Sequence, residues 1–168
     1  YVKGEELPIR NYPWQIFCNV IPQISSLKSE FEGYYGEEIK MIKETRKIFG
    51  NPDIQVSATC VRVPVFRAHS ESVNVEFEKE ISVEEAREAI KAWPGLELID
   101  DPAGSKYPMP LFAEGKDPTY VGRVRKDTSN PNTLDMWVVA DNIRKGAALN
   151  SVQTALKAIE MGLVKPKA

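Results

Sequence analysis

Residues 69–80, HSESVNVEFEKE, alternate with a period of two. His69, Glu71, Val73, Val75 and Phe77 fall on one face, and Ser70, Ser72, Asn74, Glu76 and Glu78 on the other. Successive strand residues point to opposite sides, so this pattern predicts a strand with one wet face and with His69, Val73 and Val75 turned inward. A strand wetted on one side belongs in a sheet that helices cover on the other. The remaining signals fit that frame. Residues 37–49 carry Ile39, Ile42 and Phe49 at helical spacing and stop at Gly50. Ser82 and Glu85 form a capping box for a helix that closes at Pro94-Gly95. Residues 96–100 read as a short strand, and 119–126 and 134–140 bracket a hairpin turn. A last helix starts at an Asp141 cap and ends at Gly162, with Ile143, Val152, Leu156 and Ile159 along one side. Residues 54–65 are β-branched and predict another strand. Residues 14–21 are an apolar run that suits a strand or a short helix, 1–12 and 25–36 read as irregular, and 101–118 as a long proline-rich loop. The order predicts an α+β fold, with a mainly antiparallel sheet and helices segregated to one face.

Charge and composition exclude several classes. A net charge of -2 provides no basic field for nucleic acid or anionic membrane. No apolar run approaches the roughly 20 residues of a membrane span, and the start lacks the features of a signal peptide. Two cysteines without CxxC spacing give neither a disulfide framework nor a zinc site, so a reducing, cytoplasmic setting is the simplest expectation. No glycine-rich dinucleotide loop or P-loop is visible.

Four residues could carry chemistry. Arg62 shares a strand face with Val56, Ala58 and Cys60, where a guanidinium needs an anion to offset its desolvation. That anion is either an acidic neighbour at a strand end or a bound carboxylate. His69, the only histidine, is the side chain best suited to move a proton near neutrality, or else a hydrogen-bonded core residue. For His69 and Arg62 to reach one small ligand the chain must bend between them, and Pro64 places that bend in PVFRA. Glu37 and Lys40 lie three apart in the first turn of a helix, where a lysine beside free N–H groups can complete a phosphate site or form a plain surface ion pair. Cys18 and Cys60 read as packing residues.

Three segments, VSATCVRVPVFRAHSESV, GYYGEEIKMIKETRKIFG and WVVADNIRKGAALNSVQTA, together resemble aspartate-semialdehyde dehydrogenase, over about residues 19–164. The resemblance implies an enzyme with an N-terminal Rossmann domain for NADP and a second, glyceraldehyde-3-phosphate-dehydrogenase-like domain. The reaction it implies interconverts L-aspartate 4-semialdehyde plus phosphate and 4-phospho-L-aspartate, feeding lysine, methionine, threonine and diaminopimelate synthesis. By the same likeness His69 is the proton acceptor, Arg62 clamps the substrate carboxylate and Glu37 holds the substrate ammonium. Lys40 binds phosphate, and Asn142 contacts NADP. Residues 1–140 are then a partial catalytic and dimerisation domain, and 141–168 a helix and tail that dock on the cofactor domain. The expected assembly is a homodimer or homotetramer. The family's nucleophilic Asn-Cys motif has no counterpart here, so the expectation is a carboxyl-terminal portion, inactive by itself. A related N-acyl-glutamyl-phosphate reductase and a non-catalytic dimerisation module remain as alternatives. Glu37 bears on the former, since a carboxylate suits a free ammonium and not an acetylated amine.

Overall fold

The computed structural model describes residues 9–164. The chain divides into two compact units, one up to Pro64 and one from Val65. The irregular reading of 1–12 lies mostly outside the described residues.

In the first unit, helix α1 spans Gly36–Phe49. Glu37 and Glu38 sit in its first turn and Arg46 and Lys47 in its last, each matched to the helix dipole. Gly50 ends it in a left-handed conformation (φ 62°) that a side chain would strain, and the Asn51 N–H donates back to the Arg46 carbonyl at 3.1 Å. Ile39 and Ile42 are buried as the spacing predicts, whereas Phe49 in the last turn is 72% exposed. The predicted strand over 54–65 is not one. Val56, Ala58, Cys60 and Arg62 are half-buried between exposed neighbours, so the alternation is real. No ladder forms, because only Arg62 pairs, through two backbone hydrogen bonds with Ile21 (2.9 and 3.0 Å). Side chains of α1 hold the segment instead. The run over 14–21 likewise forms no regular element beyond that Ile21 bridge.

The second unit is the predicted α+β arrangement. Its elements are β1 (His69–Glu76), α2 (Val83–Ala92), β2 (Leu96–Leu98), α3 (Pro110–Ala113), β3 (Thr119–Lys126) and β4 (Thr133–Ala140). A π-helical turn, Arg144–Ala148, then leads into α4 (Leu149–Glu160). The sheet order is β1-β4-β3-β2, antiparallel except for the parallel β2–β3 pair. Helix α2 starts at the predicted Ser82–Glu85 box and is anchored where Arg87 reaches the buried carboxylate of Asp100 at 2.8 Å. Beneath it Ala86 and Ile90 cover Val121, Val124, Leu134 and Phe77. The opposite face holds Tyr120 and Val139 against Ala68 and Ala113, the latter brought by α3 from within the long loop. Gly122 lets β3 run against the preceding chain, because a β-carbon there would overlap the Ile99 carbonyl and Pro108.

Candidate functional site

The first unit holds Glu37, Lys40 and Arg62, and beside Glu37 it buries one carboxylate. Glu38 is 5% exposed. One of its oxygens accepts the Tyr35 N–H at 2.8 Å and the other accepts the Cys60 N–H at 2.9 Å. The same side chain thus closes the start of α1 and holds the extended segment two residues before Arg62. Arg46 supports the arrangement from the far end of α1, donating to the Ile54 carbonyl at 2.9 Å. Glu37 and Lys40, on the exposed side of the first turn, form an ion pair at 3.2 Å. The hydrogen bond and charge of Glu37 hold Lys40 above its ordinary pKa, so it is a cation at neutral pH. The half-buried Arg62 places its guanidinium over the Tyr12 ring, 5.0 Å from the centroid. Among the described residues it makes no ion pair.

The second unit holds His69 and Asn142. The backbone bends at Pro64, Phe66 and Arg67, within the predicted PVFRA segment, and Ala68 then adopts a left-handed φ of 77°. His69 follows as the first residue of β1, paired with Ala140 at the end of β4. His69 is exposed, contrary to the inward face predicted for it. Val73, Val75 and Phe77 turn inward as expected, but the apolar cluster under α2 extends along this edge strand only toward Phe77.

Asp141 caps the terminal helix, accepting the Ile143 and Arg144 N–H groups at 2.9 Å each. It does more than cap. It also accepts the Gly115 N–H at 2.7 Å and pairs with Arg67 Nε at 2.8 Å, with its side chain 0% exposed. Burial alone would raise its pKa; the three backbone donors and Arg67 outweigh that and bring it down to about 2. Asn142 Oδ1 accepts the Ala68 N–H at 2.9 Å. The long loop over 101–118 is therefore packed into this region through Gly115, and through the Pro108 carbonyl, which accepts from Trp137 Nε1 at 3.1 Å. Sequence reasoning found Asp141 only as a cap and missed both Arg67 and Glu38. The one available signal was their ionisable character next to apolar neighbours.

A family model described as semialdehyde dehydrogenase, dimerisation domain, matches residues 2–145. Aspartate-semialdehyde dehydrogenase of Aquifex aeolicus is 52% identical over 165 residues, 98% of this chain and 48% of that protein. The Bacillus subtilis protein of the same name is 46% identical over 166 residues, 97% of this chain and 47% of its own. Among solved structures, aspartate semialdehyde dehydrogenase II of Vibrio cholerae complexed with ASA superposes with a TM-score of 0.88. It is 42% identical and covers 95% of this chain and 46% of that one. The Candida albicans enzyme with NADP gives 0.70 at 25% identity, covering 89% and 46%. The chain spans about half the length of the curated relatives it matches.

Proposed function

This chain belongs to the semialdehyde dehydrogenase dimerisation-domain family, and we propose that it is the substrate-gripping, dimer-forming portion of an aspartate-semialdehyde dehydrogenase. The whole cytoplasmic enzyme, a homodimer, interconverts L-aspartate 4-semialdehyde plus phosphate and 4-phospho-L-aspartate with NADP.

The observation that carries this reading is Arg62: a half-buried guanidinium with no carboxylate of its own among the described residues. Its planar fork matches a carboxylate bidentately, and the backbone bonds to Ile21 fix where that fork originates. In this reading Arg62 clamps the substrate carboxylate, Glu37 takes the ammonium and Lys40 takes a phosphate oxygen. Each of the last two is charged and accessible, and each neutralises the other until its ligand arrives. These contacts orient the substrate and contribute binding energy to the reacting geometry. His69 accepts the proton of the nucleophilic thiol, which another part of the enzyme supplies, and returns protons around the developing oxyanion. His69 is exposed in this chain, as a residue that exchanges protons with a bound ligand requires. Bound NADP supplies the hydride exchange. Asn142 is the residue of this chain that fits it, because Oδ1 is used on Ala68 while the Nδ2 donors have no partner among the described residues.

The test is steady-state kinetics on the full-length enzyme. His69→Ala is expected to lower kcat by about a hundredfold or more, while Arg62→Ala mainly raises KM for the semialdehyde. A His69→Ala enzyme with near wild-type kcat would remove the proton-acceptor role. Unchanged KM in Arg62→Ala would remove the clamp.

A further inference from the structure

We infer that Arg67, Asp141 and Asn142 are positioning residues that fix the backbone from which His69 projects. The assignment rests on the reading of His69 as proton acceptor. Ala68 lies in the left-handed region at φ 77°, a conformation that strains a residue with a β-carbon. Such a backbone persists only where its surroundings hold it. Here the Ala68 N–H is bound by Asn142 Oδ1, and the Ala68 methyl packs against Ala113, Tyr120 and Val139. One residue earlier, Arg67 is tied to Asp141. That carboxylate is itself immobile, because it is fully buried and three backbone N–H groups converge on it. One residue later, His69 pairs with Ala140, the residue before Asp141. The segment before His69 is therefore held from three consecutive positions by one short piece of chain, residues 140–142.

A buried ion pair adds little net stability compared with apolar side chains of similar volume. The backbone hydrogen bonds that hold the Asp141 carboxylate do fix the point to which Arg67 is drawn, with Nε 2.8 Å from it. The imidazole is exposed, so the direction of its Cα–Cβ bond is what the scaffold can control. A proton acceptor displaced by about 1 Å can lose a hundredfold in rate, which makes that direction worth controlling.

A kinetic double-mutant cycle in the full-length enzyme tests this, using Arg67→Met, Arg67→Lys and Asn142→Ala, each alone and combined with His69→Ala. Arg67→Met is expected to lower kcat about tenfold or more with KM within about threefold, and Arg67→Lys to recover most of the loss. Once His69 is alanine, Arg67→Met should change kcat by less than about twofold, because nothing remains to position. Asn142→Ala leaves the buried carboxylate paired and serves if Arg67→Met does not fold; measured at saturating NADP, the part of its kcat loss that arises at His69 disappears in the His69→Ala background, whereas a loss through the cofactor contact reads as a raised KM for NADP. Losses that multiply with that of His69→Ala, or an unchanged kcat in both single variants, would overturn the positioning role alone. A His69→Ala enzyme at wild-type kcat would instead remove the reading on which it rests.

Discussion

Removing the Glu38 carboxylate is the sharpest test of how the first unit holds its charged groups. Glu38→Ala strips the acceptor from two backbone donors, Tyr35 N–H at 2.8 Å and Cys60 N–H at 2.9 Å. A donor left unsatisfied on burial costs about 1–3 kcal/mol, and bonds to a charged acceptor sit in the upper part of that range. Both sites are only partly buried, so water recovers some of the loss, and about 1 kcal/mol per donor remains. The expected total is about 2 kcal/mol, which for a unit of this size corresponds to a fall in Tm of about 10 °C. Glu38→Gln keeps one acceptor oxygen but turns an amide N–H toward the other donor, so it should recover no more than about half. Urea unfolding of the chain, with the midpoints of both variants compared at fixed m, reads the effect directly. A Glu38→Ala loss below about 0.5 kcal/mol would refute the argument that this carboxylate joins the start of α1 to the Arg62 segment.

Two further outcomes follow from the second unit. Asp141 titrates near 2 when folded, below its ordinary 3.8, so its contribution is complete above about pH 4 and drains away as the pH falls toward 2. Asp127, also brought to about 2, by Ser129 and Asn74, acts in the same window. Asp141→Asn should flatten only part of the acid limb of a Tm-versus-pH profile, and a variant profile parallel to wild type would contradict the assignment. Gly122→Ala should destabilise by about 2–3 kcal/mol, since the new β-carbon meets the Ile99 carbonyl, a backbone atom that cannot turn away. An unchanged urea midpoint would show that β2 and β3 are not so close.

The residues announced the second unit more completely than the first. Strict alternation through Val73, Val75 and Phe77 reports burial on one face, and the capping box and hairpin are local signals that tertiary context left in place. His69 escaped the same rule because its exposure depends on where the cover over an edge strand ends, which no local pattern encodes. Over 54–65 the alternate burial was legible but the ladder was not there to be read. Periodicity records which side is covered, whereas pairing requires a neighbouring strand, and here the neighbours are the side chains of Glu38 and Arg46. Glu38 beside Glu37, and Arg67 inside a bend, look like ordinary surface charges in the linear text. Their partners are remote in sequence for Glu38, and more remote still for Arg67 and Asp141.

The pairing of β1 with β4 sets an order in time. On the ribosome the His69 strand emerges before Thr133–Ala140, its one lateral partner among the described residues, and α2, β2, α3 and β3 are all synthesised in between. Contacts this far apart in sequence are slow to close. The nascent His69 strand therefore waits with its hydrogen-bonding edge unmatched, dependent on chaperones or on its own polar serines to stay out of wrong partnerships, and the region around the imidazole is among the last parts of the molecule to mature.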